Sequence, residues 1–333
     1  MGTWGPSALG IAQYLLAPDA PEVLKCQLPI VATPNSYDAV FTGGQLRREL
    51  ILPWLDQQGF SEDSLEIIKQ SERPNGIWND GNIVDIFSDI HSPALHVGGW
   101  YDIFVDGPIE AFQGYQYQGG VGAAGNSKLV MGPWVHSGMF GERTGLLDYP
   151  NQDFSTIFSL TDALFDKWLN GNSTLWDMLP TVSFYLMSSI DYNPSSLGNN
   201  WFQASDWPLE TENINYYFYP NQSLLSTPQS ESEGFLSYLY DPSNPVPTNG
   251  GGNLNLNRGA YDQQEVELRD DILVFTSPVL KDPLIVLGKI EVQLFISSNC
   301  TDTDFTVKLT DVYPDGTSML ISDTILRARN RII

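Results

Sequence analysis

The sequence predicts an α/β domain followed by an all-β domain. Two observations carry this. Up to residue 172, short apolar runs of strand length alternate with segments whose apolar residues recur at helical spacing. After Gly171 the period changes to alternation, with turn residues between the runs. Runs of strands that follow mixed helix and strand imply a separate sandwich domain. With 333 residues, 42% of them hydrophobic, the chain can bury a core in each.

The elements follow in order. Gly2–Gly5 reads as the tail of a strand. From Ser7, residues Leu9, Ile11, Ala12, Leu15 and Leu16 recur at helical spacing until Pro18 and Pro21 stop the helix. Leu28–Thr33 is a short buried strand ended by Pro34. Residues 35–92 form a mixed helical insertion that includes Leu46–Leu55 and Ser64–Gln70. Pro93–Gly98 is an apolar strand, Ile103–Tyr115 a helix and Ser127–Met131 the next strand. Phe154–Leu169 is amphipathic, with Ile157, Leu160, Ala163, Leu164 and Trp168 on one face. The expected domains are 1–172, carrying the insertion as a cap, and 173–333. In the second, Thr181–Met187, Asn213–Tyr219, Ile272–Thr276, Ile285–Ile296, Thr303–Val312 and Met319–Leu326 read as strands. The strands that should flank the Ser7 strand are absent. The first domain is therefore expected to be partial, in an N-terminally truncated chain.

Composition narrows the function. Charged residues are 17% of the chain, yet the net charge is −24, dispersed along its length. Such a surface repels nucleic acid and anionic membranes. It fits a secreted or salt-adapted protein. No apolar run reaches membrane-spanning length, and the first basic residue is Lys25, so no signal-peptide n-region precedes it. Cys26 and Cys300 lie far apart and indicate neither a disulfide framework nor a zinc site. Asp302, Asp304, Asp311 and Asp315 lack calcium-loop spacing, so no metal is expected. The run Asn249-Gly250-Gly251-Gly252-Asn253 reads as a flexible loop and not a phosphate cradle, since no helix follows it.

Only three histidines occur, which sharpens the search for a general base. His136 follows a strand in Gly132-Pro133-Trp134-Val135-His136-Ser137-Gly138. Asp102 ends Gly98-Gly99-Trp100-Tyr101-Asp102, directly after an apolar run. Ser7 sits in Gly5-Pro6-Ser7-Ala8-Leu9-Gly10, between a strand and a helix. Serine needs a base to become nucleophilic, and the base needs an acid to hold its tautomer. The chain order Ser, Asp, His is the α/β-hydrolase order. In this reading Gly5 and Gly10 allow the tight turn and the close helix, and the Ala8 N–H faces the developing oxyanion. Taken singly, each residue has a plain alternative. Ser7 and Asp102 would be helix caps, and His136 a loop histidine. His96, inside an apolar strand, reads as core; His91 is the fallback base.

These motifs resemble the acid and histidine motifs of the X-prolyl dipeptidyl-peptidase and cocaine esterase-like family of serine hydrolases. That family includes α-amino acid ester hydrolases and cephalosporin acylases. Tyr240-Asp241-Pro242 through Thr248, Tyr261-Asp262-Gln263 through Arg269, Thr303-Asp304-Phe305 through Leu309, and Ile325-Leu326-Arg327-Ala328-Arg329 are similar to its C-terminal jelly-roll domain. The resemblance implies a partial α/β-hydrolase domain with a small helical cap, followed by a jelly-roll β-sandwich. It implies Ser7 as nucleophile, Asp102 as acid, His136 as base and Ala8, where members often carry Tyr, as an oxyanion donor. The family's second donor is a tyrosine upstream of the nucleophile, with no counterpart in this chain. Trp100, Tyr101 and Trp134 are expected to wall the acyl pocket. The implied reaction is cleavage of an ester or amide, as an X-Pro dipeptidyl-peptidase or an acyl-ester hydrolase, with no cofactor. The implied partners are small esters, amides or short peptides, with no nucleic acid and no membrane; a homo-oligomer is left open. The alternative is a non-catalytic fragment or a carbohydrate-binding jelly-roll protein, with Trp201 and Trp207 as an aromatic platform.

Overall fold

The computed structural model describes residues 1–141, 143–152, 155–189, 197–228 and 234–331. Strand β1 (Gly2–Pro6) leads through Ser7 into helix α1 (Ala8–Leu16), and β2 (Cys26–Ile30) returns beside it. The cap region holds α2 (Ser36–Val40), the short strands β3 (Phe41–Thr42) and β4 (Gln45–Leu46), α3 (Arg48–Gln57) and α4 (Glu62–Gln70). The start of α4 is capped by the Ser61 side chain, which accepts from the Ser64 N–H. Glu62 and Asp63 in its first turn and Lys69 in its last suit the helix dipole. Next come β5 (Leu95–Tyr101), α5 (Asp106–Gln113), β6 (Lys128–Val135), α6 (Ser155–Phe165) and α7 (Thr174–Met178). Phe154, the expected first residue of α6, lies outside the described residues.

The main sheet runs β1-β2-β5-β6, then β7 (Val182–Leu186) and β8 (Asn200–Ala204). All its pairs are parallel except β7 with β8. Alternation sorts the side chains onto two faces. Cys26, Leu28, Ile30, Leu95, Val97, Val130 and Trp134 pack on one face against Ile157, Leu160, Ala163 and Leu164 of α6. The opposite face meets α1 and α5. There Gln27 is fully buried, donating to the Gln13 carbonyl at 2.7 Å and accepting from Ser92 and Tyr115 at 3.1 and 3.0 Å. A buried amide is tolerated only when paired in this way.

Three strand assignments differ from expectation. One of them, Ile272–Thr276, forms no ladder among the described residues and pairs only through an isolated bridge between Ser223 and Thr276, because alternation alone supplies no partner. Thr181–Met187 was expected to open the β domain, but as β7 it pairs in parallel with β6, and β8 follows it. The main sheet therefore extends past residue 172. Trp201 in β8 packs with a tilted ring against Trp134 and edge-on to Tyr185, and donates to the Asn151 carbonyl. Trp207 is 4% exposed and packs on Phe184 and Trp100. These two tryptophans are packing residues and form no exposed platform.

The C-terminal region contains the ladder of β9 (Tyr217–Phe218) with β10 (Leu224–Leu225), the short helix α8 (Gln264–Glu267), and the hairpin of β11 (Asp304–Val312) with β12 (Ser318–Arg327). The hairpin matches Thr303–Val312 and Met319–Leu326 to within a residue or two. Ile285–Ile296 alternates as a strand should, but among the described residues it pairs with nothing, and Phe295 is 96% exposed. Alternation states a preference for two faces; a strand also requires a partner ladder.

Candidate active site

The carboxyl ends of β1, β5 and β6 lie on one edge of the parallel sheet, where open α/β sheets place their sites. Ser7 ends β1, with φ 55° and ψ −126°. A positive φ is costly for a non-glycine residue and persists only where the surroundings hold it. Here the Ser7 N–H donates to the Ile30 carbonyl at 2.9 Å, while the N–H groups of Gly10 and Ile11 bond to the Ser7 carbonyl. Gly10 allows α1 to lie close to the sheet: a Cβ there would come 2.6 Å from the Ala32 Cβ and 3.1 Å from the Gly5 carbonyl oxygen. The Ser7 side chain makes no cap bond, although it stands at the N-cap of α1. Its Oγ lies instead 2.9 Å from His136 Nε2.

His136 follows β6, and its Nδ1 lies 2.7 Å from Asp102 Oδ2. A carboxylate only accepts, so Nδ1 carries the proton and Nε2 is left to accept from the Ser7 hydroxyl. The Asp102 side chain is fully buried and that of His136 is 10% exposed. The other carboxylate oxygen, Oδ1, accepts from the Phe104 N–H at 2.7 Å. The same side chain thus ties its own turn and meets the histidine. The Phe104 ring stands edge-on to the imidazole, with centroids 5.5 Å apart. Ala8 opens α1, so its N–H has no intrahelical acceptor.

Sequence reasoning missed Arg47. It stands between the cap hairpin and α3, donates to Thr42 Oγ1 and to the Ile103 carbonyl, and so holds the residue after Asp102. Burial pulls its guanidinium down from the usual value, while Asp102, Asp38, Asp106 and Asp323 pull it back up. Glu110 was missed too. Burial, then Asp38 and Asp106, push its carboxyl up to about 7. Neither residue belongs to a local motif. Each also meets a group distant in sequence, the Ile103 carbonyl for Arg47 and Asp38 for Glu110.

The remaining expectations divide. His96 is fully buried, with Nδ1 2.9 Å from the Tyr14 hydroxyl, and burial lowers its pKa to about 3. His91 lies near the Val121 carbonyl at 3.3 Å and takes no part in the Ser7–His136–Asp102 line. Of the three residues expected to wall the acyl pocket, Tyr101 and Trp134 are buried and Trp100 is half-buried. Trp134 is fully buried with its indole N–H on the Gln152 carbonyl, Tyr101 is buried with its hydroxyl on Leu320, and the Trp100 indole bonds to the Tyr185 carbonyl. The strand pleat aims them at the core clusters on either side of the sheet.

A mainly parallel sheet, a serine on a strained strand-to-helix turn, and a histidine and an aspartate at the ends of two later strands define an α/β-hydrolase. Family models agree: one for the X-Pro dipeptidyl-peptidase (S15 family) matches residues 1–65 and 57–138, and one for the X-Pro dipeptidyl-peptidase C-terminal non-catalytic domain matches 174–333. The chain belongs to the X-Pro dipeptidyl-peptidase and cocaine esterase-like family of serine hydrolases. The cocaine esterase of Rhodococcus sp. (strain MB1 Bresler) is 30% identical, in an alignment that takes in 99% of this chain and 66% of that enzyme. An aminopeptidase from a marine sediment archaeon, Thaumarchaeota archaeon, has the same fold, with a TM-score of 0.80 at 20% identity over 99% of this chain and 62% of that one. An α-amino acid ester hydrolase superposes with a TM-score of 0.72 at 18% identity, with the same coverage of 99% and 62%. The chain thus spans 62 to 66% of the length of these relatives. The second family match begins ahead of β7 and β8, two strands that complete the first sheet.

Proposed function

We propose that this chain is a serine hydrolase that cleaves an ester or amide through an acyl-enzyme on Ser7. The observation that carries the reading is the unbroken hydrogen-bonded line from Ser7 Oγ through His136 to Asp102, with contacts of 2.9 and 2.7 Å.

In this mechanism His136 Nε2 takes the Ser7 proton as Oγ attacks the substrate carbonyl carbon. The carbonyl oxygen becomes an oxyanion, and the Ala8 N–H is the donor available at the helix start. The imidazolium then gives its proton to the leaving alcohol or amine, and the acyl group remains on Ser7. His136 next takes a proton from water, hydroxide adds to the acyl carbon, and the carboxylic acid leaves as Ser7 regains its proton. Asp102 holds the imidazole tautomer throughout and stabilises its charged form.

Relatives named as an esterase, an ester hydrolase and an aminopeptidase support acyl esters and short peptides as the substrate class. The test is hydrolysis of p-nitrophenyl acyl esters and X-Pro p-nitroanilides by the purified chain, beside Ser7→Ala. Turnover of either set that Ser7→Ala lacks is the expected result. A folded chain as inert as Ser7→Ala toward both sets would overturn the reading.

A further inference from the structure

The half of the chain matched to a non-catalytic model reaches the Asp102 turn at three points. The buried Tyr101 hydroxyl donates to the Leu320 carbonyl in β12 at 2.7 Å. Gly252 lies against Asp102 itself: a Cβ there would come 3.0 Å from the Asp102 carbonyl oxygen and 3.6 Å from the Ile103 Cα. Leu254 packs against Ala39, Ile103 and Phe104, and Phe104 is the ring beside His136.

The loop that carries these contacts is closed. Gly251 and Gly259 exchange both backbone hydrogen bonds, at 2.8 and 2.9 Å. Gly250 and Gly251 have φ of +83°, a conformation that favours glycine. Gly252 does not share that conformation, so its lack of a side chain serves the close approach to Asp102. Past the loop, Ala260 accepts from the Leu146 N–H at 2.9 Å, and Thr144 Oγ1 bonds to the Pro133 carbonyl at 2.6 Å, three residues before His136. One loop therefore bears on the acid turn and, through Ala260, on the segment that follows the histidine.

We infer that the loop 250–259 is a positioning element for the Asp102–His136 pair, with Gly252 as its point of contact. The inference rests on the Ser7–His136–Asp102 reading. The loop sets the height of the Asp102–Phe104 turn. A side chain at position 252 pushes on the Asp102 carbonyl and misaligns a hydrogen bond whose geometry governs the base. Misplacement of a reacting group by about 1 Å costs on the order of 10²-fold in rate.

The experiment compares the full chain with Gly252→Ala, Gly252→Val, Leu254→Ala and the loop-tip control Leu256→Ala. Inactivation by a fluorophosphonate is followed against probe concentration. The downfield proton resonance of His136 Nδ1–H is recorded in parallel, with Asp102→Asn as blank. The expected maximal inactivation rate falls in the order parent, Gly252→Ala, Gly252→Val, by roughly 10- to 100-fold in the last. The half-saturating probe concentration stays constant, the downfield proton shifts or vanishes in Gly252→Val, and Leu256→Ala behaves as the parent. If Gly252→Val fails to fold, Gly252→Ala and Leu254→Ala carry the test. Parent-like rates and an unmoved proton in folded variants overturn the inference and leave the Ser7 reading standing. A folded parent that does not label overturns the Ser7 reading instead. The resonance then decides the positioning alone, since an unmoved proton in Gly252→Val overturns it.

Discussion

His96 and His136 belong to neighbouring strands of one sheet and meet opposite surroundings. His96 lies inside β5, packed among Tyr14, Phe112 and Tyr115, and burial lowers its pKa to about 3. It stays neutral at any ordinary pH and ties α1 to the sheet. His136 lies one residue past β6, between an acid and a serine, with part of its ring open. The difference teaches that depth along the strand, more than residue type, separates a structural imidazole from one that can exchange a proton with a substrate.

The largest test of this contrast is removal of the nucleophile or of the base. Ser7→Ala or His136→Ala should lower turnover by as much as about 10⁶-fold, measured on the ester or amide the parent cleaves best. His96→Gln should leave the rate within roughly tenfold, because it changes packing and not the acyl centre. Equal losses in the two histidine variants would break the comparison. Asp102→Asn comes next, with a fall of about 10⁴-fold and little change in melting temperature, since the amide places a donor where the imidazole N–H needs an acceptor.

Three smaller effects concern stability. Gly10→Val drives a side chain into Ala32 and the Gly5 carbonyl, and should destabilise the fold by about 1–3 kcal/mol in a denaturant titration while weakening turnover. His96 should appear in the acid limb of the stability profile. The unfolded imidazole takes up a proton near 6.5, and the folded one only near 3. Between these values the unfolded chain binds more protons, so stability is full above about 6.5 and falls as the pH drops toward 3. His96→Phe should make that limb shallower by up to about 1.4 kcal/mol per pH unit. The smallest effect has the opposite sign. Glu110, raised from 4.5 to about 7, keeps its proton in the folded state, so its contribution is present below 4.5 and lost as the pH rises through 7. Glu110→Gln should gain on the parent over that interval, in melts recorded across the same buffers.

Much of the first half was legible because its signals are local. Gly5 and Gly10 around Ser7, two glycines ahead of Asp102, and a Gly-Pro-Trp run ahead of His136 mark strand ends where the backbone must turn. The sequence order of the three residues then supplied the constellation. What failed depends on partners far along the chain. Thr181–Met187 carries the same alternation whether it opens a sandwich or completes the parallel sheet, and only the pairing of β7 with β6 decides. Trp100, Tyr101 and Trp134 cluster at strand ends, but the pleat turns them toward the core. Arg47 gives no local signal for the site, since the acceptor that ties it to the Asp102 turn, the Ile103 carbonyl, is 56 residues away. The run 249–253 has a composition that reads as slack, yet Gly252 abuts Asp102 and the loop is closed by paired backbone bonds.

The most direct measurement is reaction of the purified chain with a fluorophosphonate, followed by peptide mapping of the adduct. One adduct is expected, on Ser7, formed in the parent and in His96→Gln and absent from His136→Ala. An adduct on another serine, or labelling of Ser7 that survives His136→Ala at the parent rate, would contradict it.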